Sequence, residues 1–206
     1  PPGVPGHEWA NFRADPGRSG VAVGSMDPTT NDAVWDCKPT TDGATFSTYY
    51  SSPSVVGDRL YISGCDKGPL KDRGGIICLD ANTGKQIWVY ECDKKYRGTY
   101  SSPSVAYKRN KDGTINSGEG YVVCGEGLHF ITDARVFCVD LNGNLLWQYT
   151  TRSHVESSPA IGYTRDAQGN MVGYVYVGAG DDGYYCFKLE PGEGDWENKS
   201  DLRPKP

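Results

Sequence analysis

The chain has 206 residues, a formal net charge of −5 and a pI near 5.2. Such an acidic chain offers no basic patch for nucleic acid, and no apolar run approaches the ~18 residues of a membrane-spanning helix. Its 27 glycines, 14 tyrosines and 2 methionines suit turn-rich antiparallel β structure, and the length suffices for one domain with a real core.

Pro1 to Gly6 is a proline-rich lead. The start at Pro1, without Met, suggests that an N-terminal leader has been removed. Val21–Gly24 and Ala33–Trp35 read as a first pair of strands. Tyr50-Ser51-Ser52-Pro53-Ser54-Val55 leads into the next strand, and Leu60-Tyr61-Ile62-Ser63-Gly64 into another. A polar insertion follows from Cys65 to Gly75. Cys78-Leu-Asp80-Ala-Asn82-Thr83-Gly84-Lys-Gln-Ile-Trp88 reads as strand, tight turn and strand. Asp80, Asn82, Thr83 and Gly84 are turn formers, and Ile87–Tyr90 is a β-rich run.

The same markers return in phase. Tyr100-Ser101-Ser102-Pro103-Ser104-Val105 repeats the Ser-Ser-Pro segment, and Tyr121–Gly125 repeats the glycine-ended strand. Cys138-Val-Asp140-Leu-Asn142-Gly143 then leads to Trp147. A third round runs Glu156-Ser157-Ser158-Pro159-Ala160-Ile161, Tyr174–Gly178 and Cys186 to Trp196. Ser25–Trp35 is a degenerate first copy. Tryptophans 35, 88, 147 and 196 therefore recur at roughly 50 residues, and a period of that size with four short strands per unit marks a β-propeller blade. Between the markers lie two charged hairpins, Lys108–Gly118 and Thr164–Asn170, read as tolerated surface loops. A mixed apolar loop, Gly125–Ala134, carries Leu128, His129 and Phe130. Residues 197–206 read as a tail.

An Asp-x-x-x-Gly-x-x-x-Trp turn after a glycine-ended strand, followed by Ser-Ser-Pro, resembles the pyrroloquinoline-quinone (PQQ)-like, or quinoprotein-like, propeller repeat. Trp9–Gly20 resembles the usual lead-in. Cys78, Cys138 and Cys186 stand where that family usually has alanine. Trp-Asp-repeat and kelch propellers fit less well, since no Trp-Asp dipeptide ends the strands and no Gly-Gly pair repeats. The resemblance implies an all-β fold of four-stranded antiparallel blades. It gives a lead-in over 1–20, blades over 21–196 and a tail over 197–206. Grouped from each tryptophan, the blades run 33–79, 88–139 and 147–189. That is three complete blades and the start of a fourth at Trp196, as part of a ring of seven or eight. Three blades cannot close a ring, so the chain is expected to be a fragment or to be completed by copies or a partner. In such rings Trp35, Trp88, Trp147 and Trp196 are expected to wedge between neighbouring blades.

Chemistry-bearing residues are sparse. Of the seven cysteines, Cys78, Cys138 and Cys186 are expected to be small buried hydrophobes. Cys37, Cys65, Cys92 and Cys124 could pair in an oxidising compartment, and the odd total leaves at least one thiol free. His7, His129 and His154 stand at no ligand spacing. Asp140-Leu-Asn142-Gly-Asn144 and Asp181-Asp182-Gly183 resemble calcium loops, but both fall where the repeat needs a turn. Asn198-Lys-Ser200 matches a glycosylation sequon. Ser51, Ser101 and Ser157 are not nucleophile candidates, since a catalytic serine has no reason to recur three times. Their hydroxyls are expected to satisfy backbone groups near the channel.

The resemblance offers two functional classes. PQQ-dependent dehydrogenases hold the quinone between a tryptophan floor and a vicinal-cysteine disulfide, with Ca2+ on Glu, Asn and Asp. This sequence has no adjacent cysteine pair and no convincing calcium set. The non-catalytic branch uses the ring as a protein-binding platform, and it is favoured here. No cofactor is then expected, with PQQ and Ca2+ as the alternative. The implied setting is periplasmic or extracellular, with a protein partner or further propeller segments bound. Family analogy puts Tyr50, Tyr100 and Glu156 at the channel mouth, as candidate contacts. Leu128, His129 and Phe130 are candidate loop contacts.

Overall fold

The computed structural model describes residues 33–37, 46–66, 73–92, 98–128 and 131–190. Strands β1 (Ser54–Val56), β2 (Arg59–Cys65), β3 (Gly74–Asp80) and β4 (Gln86–Glu91) form a first sheet in that order. A second sheet is β5 (Ser104–Arg109), β6 (Ile115–Gly125), β7 (Arg135–Asp140) and β8 (Leu145–Thr150). A third is β9 (Ala160–Arg165), β10 (Met171–Gly178) and β11 (Tyr184–Lys188). Neighbouring strands are antiparallel throughout. The expected all-β, blade-like architecture is therefore present, as two four-stranded sheets and one three-stranded sheet among the described residues. Val21–Gly24 and Trp196 lie outside them.

The sheets stack face to face, first on second and second on third. Between the first two, Tyr61, Ile76 and Cys78 meet Val105, Val122, Cys124, Phe137 and Val139. Between the second and third, Val123, Val136, Cys138 and Trp147 meet Ile161, Val175, Val177 and Phe187. Strands β3 and β7 are buried at every residue except the terminal aspartate, because each is covered on both faces. That explains why Ile76–Leu79 and Val136–Val139 are continuous apolar runs rather than alternating ones.

The structure regroups the strands. The repeat pattern groups the tryptophan strand with the blade that follows it, but β4 pairs with β3 and β8 with β7, so tryptophan closes a sheet. The reason is the turn. Asp80 Oδ1 accepts from the Asn82 and Thr83 amides at 3.0 and 2.8 Å, and Gly84 takes φ of 69°. A turn that short folds its two flanks onto each other, while the longer link from β4 to β5 crosses to the next sheet. A bulge in each tight pair, between Cys78 and Leu79 and between Cys138 and Val139, puts Cys78 opposite Trp88 and Cys138 opposite Trp147. Ala33–Trp35, expected as a strand, has no ladder; Trp35 is held instead through its indole.

Two further expectations are corrected. The sequence pattern aligns the glycine-ended strands on Gly64, Gly125 and Gly178. By register, however, Tyr61, Val123 and Tyr176 are the residues paired with Cys78, Cys138 and Cys186. Ser63, not Gly64, thus holds the place of Gly125 and Gly178. Cys186 was expected to be buried like Cys78 and Cys138, yet it is exposed. Those two are covered by the next sheet, and among the described residues no sheet follows the third.

Candidate functional site

The three Ser-Ser-Pro segments run side by side at the inner edges of the sheets, laced by side-chain hydrogen bonds. Ser51 Oγ accepts from the Ser63 amide at 3.0 Å, Ser101 Oγ from Gly125 at 3.1 Å and Ser157 Oγ from Gly178 at 3.0 Å. The second serines work between sheets. Ser102 Oγ accepts from the Ser52 amide at 2.9 Å, and Ser158 Oγ from the Ser102 amide at 3.2 Å. Ser54 Oγ donates to the Pro103 carbonyl, and Ser104 Oγ to the Pro159 carbonyl. The repeated serines are thus backbone-satisfying groups, and the bonds of the second serines and of Ser54 and Ser104 cross a sheet boundary.

The residue before each Ser-Ser-Pro stands at this inner edge. Tyr50 is 62% exposed, and its ring meets that of Tyr100 edge-on, with centroids 4.8 Å apart and planes at 73°. Glu156, half-buried, lines a cavity of about 510 Å3 together with His154, Ser158, Tyr176 and Tyr184. The fold therefore joins Tyr50 to Tyr100 and gives Glu156 a cavity of its own.

The loop after β6 reaches the same end of the sheets. The Val155 amide donates to the Glu126 carbonyl at 3.0 Å, and the Gly127 amide to the Gly98 carbonyl at 2.9 Å. At the base of the loop lies a charged pair with little signal in the sequence. Glu126 and Arg135 are fully buried and joined by a two-pronged ion pair, with Arg135 Nη2 3.0 Å from Glu126 Oε2. Arg135 Nη1 also donates to Gln148 Oε1 at 2.7 Å. The only signals were an acid just past a glycine-ended strand and an arginine opening an apolar one. Beside the pair lies Cys92, whose thiol burial and the Glu126 carboxylate push well above its usual range. Leu128, expected as a surface contact, is 4% exposed and anchors the loop instead. His129 and Phe130 lie outside the described residues.

At the outer rim the tryptophans make one repeated contact. Trp35 Nε1 donates to the Ala81 carbonyl at 3.0 Å, Trp88 Nε1 to Leu141 at 2.9 Å and Trp147 Nε1 to Leu189 at 3.1 Å. The indoles of Trp35 and Trp88 lie so close to Gly84 and Gly143 that a Cβ there would fall 2.5 and 2.9 Å from a ring carbon. Each of these three indole N–H groups is thus engaged with a backbone carbonyl about one repeat further along the chain. Asp140 Oδ1 accepts from the Asn142 and Asn144 amides of its own turn. Asp182 Oδ2 accepts from the Arg152 amide at 2.7 Å. Among the described residues no three His, Cys, Asp or Glu side chains converge as metal ligands.

The two charged hairpins differ from the tolerated loops expected. The Met171 amide donates to the Lys111 carbonyl at 2.8 Å, and Arg165 Nη2 to the Asp112 carbonyl at 3.1 Å, so the tips of the second and third sheets are tied together.

Residues 19–117 match the family of PQQ-like repeats described as outer membrane protein assembly factor BamB. Among solved structures the chain is similar to a fucose lectin from Kordia zhangzhouensis in complex with methyl-fucoside. The two are 17% identical over 72% of this chain and 94% of the lectin, with a TM-score of 0.31. No curated protein matches the chain.

Proposed function

We propose that this chain, which belongs through residues 19–117 to the PQQ-like β-propeller repeat family, is a non-catalytic binding scaffold. It works in the periplasm or outside the cell, as a protein-binding platform or accessory subunit of a larger assembly. The contact surface is the inner-edge row of Tyr50, Tyr100 and Glu156, with the loop of Glu126–Arg135 beside it. The observation that carries this reading is Tyr50. A tyrosine left 62% exposed yet seated edge-on against its counterpart one repeat away is a rigid, amphipathic contact residue. The serines next to it are already engaged in lacing the sheets. The family's description as an outer membrane protein assembly factor supports the assembly role and the compartment. No described helix is long and apolar enough to cross a membrane.

The test is site-specific photo-crosslinking in the native host. A benzophenone amino acid at position 50 is expected to give one discrete protein adduct, and the same group at exposed Ile115 to give none. Tyr100→Ala in the position-50 background should weaken the adduct. Adducts of equal yield from positions 50 and 115, or from neither, would overturn the proposed surface.

A further inference from the structure

The first two sheets each touch the segment that follows the third strand of the next sheet, and the two joints carry different charges. Register makes Arg59 of sheet one the counterpart of Tyr121 of sheet two, since Arg59 pairs with Asp80 and Tyr121 with Asp140. The segments they meet also correspond. The Leu141 carbonyl accepts the Trp88 indole N–H, and the Leu189 carbonyl that of Trp147. The residues that follow, Asn142 and Glu190, therefore hold the same place.

In the second joint that place supplies a carboxylate. Glu190 Oε1 accepts from the Tyr121 hydroxyl and stands 3.6 Å from Lys108 Nζ. In the first joint the cation is present without it. Arg59 Nη1 donates to the Leu141 carbonyl, a neutral acceptor, and the next residue is the uncharged Asn142. Among the described residues no carboxylate comes within ion-pair distance of Arg59.

A cavity of about 240 Å3 lies at this point, between two sheets that both have their four strands. Arg59, Tyr61, Tyr107, Ser117 and Asn142 line it. Arg59 is half-buried and Tyr61 is 1% exposed. A guanidinium, two phenols, a hydroxyl and a side-chain amide can all donate hydrogen bonds, and the planar guanidinium matches the two oxygens of a carboxylate. Asp58 also lines the cavity and is exposed. Its negative charge disfavours a multiply charged anion such as phosphate and leaves a single carboxylate as the anion that fits.

We propose that this cavity binds a carboxylate, seated on Arg59 in the position that Glu190 takes in the next joint. Tyr50 precedes β1 and Arg59 follows it, so the site is separate from the contact surface proposed above and stands without it. The carboxylate belongs either to a small free acid or to an acidic side chain of a partner protein.

Two-dimensional 1H–15N NMR of the whole chain tests this through the Arg59 Nε–H and Asn142 side-chain signals. Propionate, which has the shape of a glutamate side chain, stands for a free acid. A glutamate tripeptide with both ends blocked stands for a partner's side chain. At least one should shift these signals saturably, with a midpoint of roughly 1–10 mM, and sodium chloride at equal concentration should not. Tighter binding of propionate assigns a free acid, and tighter binding of the peptide assigns a protein side chain. Arg59→Gln should weaken binding about tenfold or more. Asn142→Glu supplies the carboxylate from within, as Glu190 does next door, and should abolish binding. Circular dichroism checks that both variants are folded. The proposal is overturned if neither probe saturates, if chloride gives the same shifts, or if either variant binds like the wild type.

Discussion

Trp88 in the first sheet donates its indole N–H to the carbonyl of Leu141 in the second, 2.9 Å away, and lays its ring against Gly143. Gly143 has φ of 87°, a conformation that other residues rarely adopt, and a Cβ there would lie 2.9 Å from the ring. One contact thus couples the outer strand of one sheet to the hairpin turn of the next.

Trp88→Phe should lose the hydrogen bond but keep much of the apolar contact, at a cost of about 1 kcal/mol. Gly143→Ala should cost about 1–3 kcal/mol, from the left-handed backbone and the ring clash together. Urea unfolding measures both. Because the two changes strike the same contact, the double variant should cost less than the sum; strict additivity would mean that the indole and the glycine are not coupled.

The buried Glu126–Arg135 pair makes a sharper prediction. Glu126→Gln leaves the Arg135 guanidinium buried without its counter-charge and should destabilise the fold by about 3–5 kcal/mol. Glu126→Gln combined with Arg135→Met removes both charges and should recover a large part of that loss. A double variant as unstable as the single one would show that the pair contributes by shape rather than by charge.

The turn aspartates give the fold an acid limit. Hydrogen bonds from the Thr83 hydroxyl and amide hold the Asp80 carboxyl below the usual carboxylate range. Burial pushes Asp140 up, but the bonds from Asn144 and its turn amides outweigh it and hold the net value low. A depressed folded value means stability that is complete above the unfolded carboxylate value of about 3.9 and is lost as pH falls through the lower folded values. Thermal midpoints should therefore drop below about pH 4. Asp80→Asn keeps an acceptor oxygen but cannot titrate, so its midpoint should fall less steeply; an unchanged slope would assign the acid limit elsewhere.

Thiol reactivity should divide the cysteines by position in the stack. Burial pushes the Cys78 and Cys124 thiols up to about 12, and it raises Cys138 well above its usual value. In dilute native protein, Cys37 and Cys186 should react with a thiol-specific reagent at once. Cys78, Cys92, Cys124 and Cys138 should react only on unfolding. Mass mapping after brief alkylation distinguishes the groups, and fast labelling of Cys78 or Cys138 would mean that the sheets separate in the native state.

How much of this was legible in the chain follows from the range of the forces involved. The blade type and the strands were readable because a repeat writes the same local instruction several times. Apolar runs make strands, Asp-x-x-x-Gly makes a turn, and three markers in phase leave little freedom. The partner choices were not readable. Whether Trp88 closes one sheet or opens the next depends on which link is too short to cross between sheets. Gly64 and Ser63 are adjacent in sequence, and only the pairing of Tyr61 with Cys78 decides which of them matches Gly125. Cys186 looks like Cys78 in its sequence context, yet burial belongs to what lies across the interface. Glu126 and Arg135, nine residues apart at the two ends of a loop noted only for its apolar residues, become a buried ion pair only once β6 and β7 close around them. Local propensity acts within a few residues, whereas register, burial and charge pairing are set by neighbours that only the stacked sheets bring together.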